Sequence, residues 1–161
     1  MATSHDTPAA FHGHDEASVS ALYEALIAGW NSSSAEGFAA PFSREGAVIG
    51  FDGSENHGRD TIRTEMQAIF DDHQPATFVT KVRSIDLLGS DAAMLRAIVG
   101  MVLPGESDLE PERNAHQTVV AVKEDGDWRI ALFQNTPARF DGRPELVEQF
   151  TEELREAAGL N

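Results

Sequence analysis

Three polar residues in otherwise apolar, strand-like segments have the types and positions that acid–base chemistry requires. Asp52 ends one such segment, His116 lies near the start of another, and Gln134 lies near the end of a third. Side chains alternate between the two faces of a strand, so we expect these three on faces directed into one apolar cavity, with Gly50 facing inward as well. A carboxylate and an imidazole that face such a cavity can act as general acid and base, because burial raises the pKa of the aspartate and a neighbouring aspartate raises that of the histidine.

The candidate catalytic residues are therefore Asp52 and His116. The candidate substrate-binding residues are three aromatic residues of predicted helices and three polar residues of predicted strands: Trp30, Phe38, Phe42, Thr118, Gln134 and Asn135. The amides of the last two are the best candidates for hydrogen bonds to a ligand, because the rest of their segment is apolar.

Structural interpretations of the same residues stay open. Asp52 precedes Gly53 and can begin the turn GSENHG by accepting backbone hydrogen bonds. His116 is as consistent with an ordinary strand histidine as with a catalytic base. Aromatic residues at helical spacing are most often core residues. Alternation alone does not decide whether Arg83 and Arg96 face solvent, a partner or a ligand.

The composition excludes several classes of function. The chain has 161 residues, enough for one domain, and contains no cysteine, which excludes disulfides, a thiol nucleophile and Cys-ligated metals. Twelve basic and 27 acidic residues give a net charge of −15, which disfavours nucleic acid and anionic membranes as partners. No apolar run approaches the roughly 20 residues of a membrane-spanning helix, and the N-terminal residues lack the pattern of a secretory signal. We therefore expect a cytoplasmic protein.

Neither a metal nor a cofactor is expected. Histidine and aspartate residues near the N-terminus could capture a cation adventitiously: His5, Asp6, His12, His14 and Asp15. No recognised ligand spacing lies on a predicted rigid element, however. The segment GSENHGRD also lacks the lysine and the glycine spacing of a phosphate-binding loop.

The hydrophobic periodicity predicts a single domain over 16–161, preceded by a flexible tail over 1–15. Helices are predicted over 16–31, from Ser34 through Phe42, over 61–73 and over 144–158. Strands are predicted over 46–52, 77–88, 92–103, 115–124 and 128–136, with tight hairpin turns at 89–91 and 125–127. This order predicts an α+β fold in which a curved antiparallel sheet packs on the N-terminal helices, encloses a cone-shaped cavity and is followed by an extra C-terminal helix.

Three segments of the sequence resemble the nuclear transport factor 2-like superfamily, which includes ketosteroid isomerase and the SnoaL-type polyketide cyclases. They are WNSSSAEGFAAPF (30–42), HGRDTIRTEMQAIF (57–70) and DGDWRIALFQNTP (125–137). The segment FQNTPARFDGRPE (133–145) resembles the SgcJ/EcaC-type branch, which is associated with polyketide and enediyne biosynthesis. The resemblance implies a conical, cystatin-like α+β fold that forms a homodimer through the outer face of its sheet.

The chemistry of ketosteroid isomerase is not expected. That enzyme uses an aspartate base, a tyrosine and a protonated aspartate. The corresponding positions in this chain are Gly50, Leu26 and a position near Thr118, and all three depart from the isomerase pattern.

Two hypotheses of function follow. The first is an accessory enzyme of polyketide or enediyne biosynthesis that uses Asp52 and His116 for acid–base chemistry on an apolar polyene or cyclic intermediate. The second is a non-catalytic, dimeric binding or scaffold protein that holds such an intermediate or docks on a polyketide synthase or tailoring enzyme. A purely structural dimer, with a cavity filled by its own side chains, is the third alternative.

Overall fold

The computed structural model describes residues 9–160, with side chains described from residue 13 onward. The helices are α1 (Ala9–Asn31), α2 (Ala35–Ala39), α3 (Arg59–Asp72) and α4 (Pro144–Ala158). The strands are β1 (Phe42–Ile49), β2 (Glu55–His57), β3 (Thr77–Leu87), β4 (Ala92–Val102), β5 (Ala115–Glu124) and β6 (Asp127–Pro137), and a short 3-10 helix spans Pro111–Arg113. Helix α1 begins at Ala9 rather than at residue 16, so the described part of the predicted tail is helical.

The strands form one six-stranded sheet with the order β2-β1-β6-β5-β4-β3. All neighbouring strands are antiparallel except β1 and β6, which pair in parallel. Helix α1 packs against the inner face of this sheet, α2 packs against α1, and α3 packs against α2 and β1. Helix α4 covers part of the outer face, over β3 and β4. The predicted α+β architecture with an extra C-terminal helix is confirmed.

The turn between β5 and β6 has the geometry that its sequence predicts. Asp125 and Gly126 form a two-residue loop, and both have positive φ angles, 52° and 86°. A type I′ turn requires this conformation at both central residues, and its twist matches that of the flanking strands. The sequence Asp-Gly therefore sets the pairing of the two strands that carry half of the predicted site residues.

A close contact between α1 and α2 brings two aromatic residues together. A Cβ atom at Gly29 would lie 2.3 Å from the backbone nitrogen of Phe38, so no larger residue fits without moving one of the helices. Ser34 caps α2 by accepting a hydrogen bond from the backbone N–H of Gly37 at 2.9 Å. The rings of Trp30 and Phe38 consequently lie 6.2 Å apart, centre to centre.

The C-terminal end of α1 is anchored to β3. The side chain of Asn31 accepts a hydrogen bond from the backbone N–H of Phe78 at 2.8 Å and donates one to its carbonyl oxygen at 3.1 Å. The Trp30 indole N–H donates to the carbonyl oxygen of Ala76 at 2.7 Å, and its ring stacks on Phe78 with the ring centres 4.5 Å apart. These contacts fix the position of the Trp30 ring above the sheet.

The N-terminal half of α1 is anchored to the β5–β6 hairpin. The indole N–H of Trp128 donates to the buried Asp15 carboxylate at 3.1 Å, and the Lys123 ammonium lies 3.6 Å from the same oxygen. The hydrogen bond from Trp128 and the nearby charge of Lys123 together lower the pKa of Asp15 despite its burial.

Within residues 9–160, no helix has the length and apolarity needed to cross a membrane.

Candidate functional site

A cavity of about 560 Å³ lies between the inner face of the sheet and the three N-terminal helices. Most of its wall is formed by aromatic and aliphatic side chains: Trp30, Phe38, Val48, Phe51, Met66, Ile69, Phe78, Met101, Leu103 and Phe133. A cavity of this size and apolarity is typical of sites that bind small molecules. The hollow predicted between the sheet and the helices is present.

The ionisable side chains that line this cavity are all exposed. They belong to Asp52, His73 and Arg113, so charge is confined to the solvent side of the wall. An ionised ligand group placed among the apolar residues would lose its hydration without gaining an opposite charge, which is costly. The cavity therefore favours an uncharged ligand body.

One buried polar side chain, that of Asn135 in β6, lies in the cavity wall with 8% of its surface exposed. Its Nδ2 donates to the carbonyl oxygen of Ile49 at 3.2 Å, and its Oδ1 accepts from Nε2 of Gln117 at 2.8 Å. Gln117, which is fully buried in β5, in turn accepts a short hydrogen bond from the hydroxyl group of Tyr23 in α1. Burial raises the pKa of Tyr23 well above its usual value, so the phenol remains protonated as this chain of hydrogen bonds requires.

A β-bulge in β6 reverses the faces predicted for the second half of that strand. Ala121 pairs with Ile130 whereas Val120 pairs with Leu132, which leaves Ala131 as the extra residue. Ile130, which precedes the bulge, is buried in the inner core. Beyond the bulge it is Phe133 and Asn135 that face inward, and Gln134 faces outward, contrary to the prediction that it lines the cavity.

The structure also contradicts the faces predicted for β5. The inner core contains Val119 and Ala121, so Thr118 and His116 lie on the outer face. The His116 ring meets the ring of Phe150 in α4 edge to face, with the centres 5.4 Å apart. Alternation along a strand relates one residue to the next, but which alternate set faces the core depends on packing between elements.

The electrostatic surroundings of His116 are the reverse of those expected for a base beside a carboxylate. His116 is exposed on the outer face, but desolvation by its neighbours there lowers its pKa, and the positive charges of Arg83 and Arg96 lower it further. His116 therefore lies across the sheet from the cavity and among cations. The acid–base pair with Asp52 that the strand pattern predicted is not formed.

Asp52 has the structural role considered above as the alternative to catalysis, which is to hold the turn that follows β1. Strand β1 ends at Ile49, and Asp52 lies exposed in the following turn, where its Oδ1 accepts a hydrogen bond from the backbone N–H of Ser54 at 2.9 Å. Hydrogen bonds from Ser54 lower the pKa of Asp52. A lowered pKa at an exposed position makes this carboxylate a weak base, although it does lie in the cavity wall.

The remaining predicted site residues divide between wall and core. Trp30, Phe38 and Asn135 line the cavity together, as predicted. Phe42 is fully buried behind Phe38, with the ring centres 5.9 Å apart, and belongs to the core. Gln134 and Thr118 are cross-strand neighbours on the outer face.

The sequence interpretation missed the two residues behind Asn135. Tyr23 lies at helical spacing among the apolar residues of the first helix, and the prediction that His116 faces inward puts its neighbour Gln117 on the opposite face. A signal was available for Gln117, because it is an amide among small and β-branched residues in the segment AHQTVVAV. Buried polar groups of this kind are usually hydrogen-bonded to one another or to the backbone.

No metal site is seen in the described part of the chain: no group of three or more histidine, aspartate or glutamate side chains within residues 13–160 is arranged to hold an ion. The structures of His5 and Asp6 and the side chain of His12, members of the N-terminal cluster considered above, lie outside the described residues. Nothing further follows about that cluster.

Comparison with known proteins identifies the family. The family model of the SnoaL-like domain matches residues 19–135, which is most of the chain. The chain therefore belongs to the SnoaL-like domain family, and the resemblance to the nuclear transport factor 2-like superfamily is confirmed at that level. A search of the curated proteins gave no significant match.

Solved structures support the same fold. A domain of unknown function with a cystatin-like fold from Nostoc punctiforme is 27% identical over 96% of both chains, with a TM-score of 0.74. A variant of a function-unknown protein from Mycobacterium tuberculosis is 22% identical over 94% of this chain and 93% of that chain, with a TM-score of 0.72. A ketosteroid isomerase-like protein from Erwinia carotovora atroseptica is 14% identical over 76% of this chain and 95% of that chain, with a TM-score of 0.61. The expected cystatin-like α+β cone is confirmed.

Proposed function

We propose that this protein binds an uncharged, largely apolar small molecule in the cavity between the sheet and its N-terminal helices. The observation that carries the proposal is the combination of a 560 Å³ apolar hollow with the single buried amide of Asn135 in its wall. A hollow filled by its own side chains, as a purely structural dimer would have, does not match this volume. Apolar walls provide affinity by removing ligand surface from water, and a polar group at a defined position orients the ligand.

We further propose that the ligand is a polyene or cyclic intermediate of polyketide or enediyne biosynthesis. The support for this step is membership of the SnoaL-like domain family together with the resemblance of residues 133–145 to the SgcJ/EcaC-type branch. An intermediate of that kind is apolar, is uncharged over most of its surface and carries a few oxygen atoms. These properties are complementary to the cavity wall.

We favour a protein that binds its ligand and does not convert it by means of an Asp52–His116 pair. His116 lies on the opposite face of the sheet, and Asp52 is held in a turn by Ser54. The two groups therefore cannot exchange protons with one bound molecule, which general acid–base catalysis by a pair requires.

The partner we propose for the outer face is a second copy of this chain. Met94, Val120 and Leu132 are cross-strand neighbours on β4, β5 and β6, half-buried and apolar, beside the part of the face that α4 covers. Sedimentation equilibrium tests the proposal: we expect a dimer that Val120→Glu dissociates and Leu88→Glu, at an exposed turn, leaves intact. A monomeric wild-type protein would contradict it. Docking on a synthase or tailoring enzyme stays a prediction.

Two experiments test the proposed binding function. Native mass spectrometry of freshly purified protein is expected to detect a co-purified apolar molecule.

The second experiment is a titration with 2-ethylnaphthalene, an uncharged probe small enough for the cavity, which is expected to bind saturably. Ile69→Glu is expected to weaken this binding at least about tenfold, because a carboxylate in the wall is incompatible with an apolar ligand. Ile69 lines the cavity, whereas Leu88 does not, so Leu88→Glu is the matched control. Equal binding by both variants would contradict the proposal.

A further inference from the structure

The hydrogen-bond chain behind the cavity can run in one direction only. The carbonyl oxygen of Ile49 only accepts hydrogen bonds, so the group of Asn135 that lies 3.2 Å from it must be the amide nitrogen. The Asn135 carbonyl oxygen therefore faces Gln117, which must present its own amide nitrogen at 2.8 Å. The remaining oxygen of Gln117 faces Tyr23, whose hydroxyl group must donate. One backbone carbonyl thus fixes the orientation of two side-chain amides.

This direction leaves one hydrogen-bond donor at the cavity wall. The Nδ2 atom of Asn135 carries two hydrogens, and one of them is used by Ile49. No acceptor for the other is found among the described residues, and the side chain lines the cavity. Buried N–H groups without a partner are rarer than carbonyl oxygens with a free lone pair, so the site favours a ligand that brings an acceptor.

The surroundings of this donor restrict the kind of acceptor. Val48 and Phe133 are paired across β1 and β6 next to Asn135, and both are buried cavity-lining residues. Arg113, the arginine of the cavity wall, is exposed to solvent. A carboxylate or phosphate beside Asn135 would therefore be desolvated without a counter-charge. A hydroxyl group would bring its own donor into an apolar wall. A carbonyl oxygen accepts without donating and without charge.

We propose that the ligand of this cavity carries a ketone or similar uncharged carbonyl group that accepts a hydrogen bond from Asn135 Nδ2, and that Gln117 and Tyr23 are positioning residues that hold this donor. The proposal rests on the proposed binding function and adds a substrate class to it. It assigns a role to Tyr23, which is not itself in the cavity wall.

The first test compares a ketone with the corresponding hydrocarbon. Affinities for 2-acetylnaphthalene and 2-ethylnaphthalene are measured for the wild-type protein, Asn135→Ala and Gln134→Ala. We expect Asn135→Ala to weaken ketone binding about 3- to 10-fold, the effect of one neutral hydrogen bond, and to change hydrocarbon binding less than about twofold. Gln134→Ala, at the adjacent position on the opposite face, is expected to change neither.

The second test uses the carbonyl stretching band of bound 2-acetylnaphthalene, isolated by a ¹³C label. Donation by Asn135 is expected to shift the band of the bound ketone to a lower frequency than in hexane. Tyr23→Phe removes the donor to Gln117, whereas Ile49 still sets the orientation of both amides. Gln117 is then held from one side only and positions Asn135 less firmly, so we expect a single band that is broader and less shifted than in the wild-type protein, and a smaller ketone preference. A merely structural effect of Tyr23→Phe would lower stability and leave the position and width of the band unchanged.

The outcomes separate this inference from the function on which it rests. Two results would overturn the inference and leave the proposed function standing. One is an unshifted band of the ketone bound to the wild-type protein. The other is a ketone preference that Asn135→Ala leaves unchanged while the hydrocarbon still binds. Absence of binding by both probes overturns the inference and the proposed function together. The wild-type band decides the matter even where Asn135→Ala does not fold.

Discussion

Gln134 and Asn135 are adjacent in β6 but lie on opposite faces of the sheet, and it is Asn135 that lines the cavity. Replacing Asn135 by alanine removes the partners of the Ile49 carbonyl and the Gln117 amide. We expect the free energy of unfolding to fall by about 1–3 kcal/mol, because two groups away from bulk water lose their hydrogen bonds.

Gln134→Ala is the control for that prediction, since it is the same kind of truncation on the half-buried outer face. Its expected effect is within about 0.5 kcal/mol. Urea denaturation of both variants provides the measurement, and equal losses would contradict the assignment of the two side chains to different faces.

The same substitution at two glycines of α1 is expected to have opposite effects. Gly29→Ala introduces a Cβ atom 2.3 Å from the Phe38 backbone, so we expect a loss of about 1–3 kcal/mol from overpacking. Gly13→Ala meets no atom within 4 Å and gains helix propensity, so its expected effect is neutral or stabilising by up to about 1 kcal/mol. Thermal unfolding followed by circular dichroism tests both, and a stable Gly29→Ala variant would refute the close approach of α1 and α2.

The Asp15 carboxylate is expected to stabilise the fold in a pH-dependent way. Its pKa is lowered in the folded state, so its contribution is complete above the ordinary aspartate pKa of 3.8 and is lost as the pH falls below that value. Asp15→Asn keeps an oxygen acceptor for Trp128 but removes the charge. We expect this variant to be about 0.5–1.5 kcal/mol less stable than wild type at pH 7. The difference should shrink toward pH 3, and denaturant titrations at both pH values would measure it. A constant difference would exclude the charge as its cause.

His116 is expected to titrate below the ordinary histidine pKa of 6.5, because its neighbours, among them Phe150, desolvate it in part and because Arg83 and Arg96 lie near it. The folded protein then binds this proton less readily than the unfolded chain, so stability falls as the pH is lowered through 6.5. NMR titration of the imidazole resonances gives the value directly. Arg96→Gln is expected to raise it, whereas Arg63→Gln in α3, on the other side of the sheet, should not. A pKa above 6.5 would indicate a carboxylate partner that the structure does not contain.

Much of the fold is encoded locally and was predicted from the sequence. The strands β3 to β6 and the helices α3 and α4 have bounds within about two residues of the predicted ones, because hydrophobic periodicity and turn residues act over short distances. Of the three aromatic candidates at helical spacing, Trp30 and Phe38 line the cavity and Phe42 does not, so periodicity alone did not separate wall from core. The resemblance to the nuclear transport factor 2-like superfamily lay in contiguous segments and was confirmed at the level of the SnoaL-like domain family.

The polar part of the site was decided by tertiary structure. Alternation established that Gln134 and Asn135 face opposite sides, and likewise His116 and Gln117, but it could not say which of each pair faces the helices. The bulge at Ala131 reversed the phase within β6, and the packing of α1 and α4 on opposite faces set the phase of β5. Tyr23 and Gln117 are 94 residues apart in sequence, so their hydrogen bond exists only because the sheet is folded against the first helix.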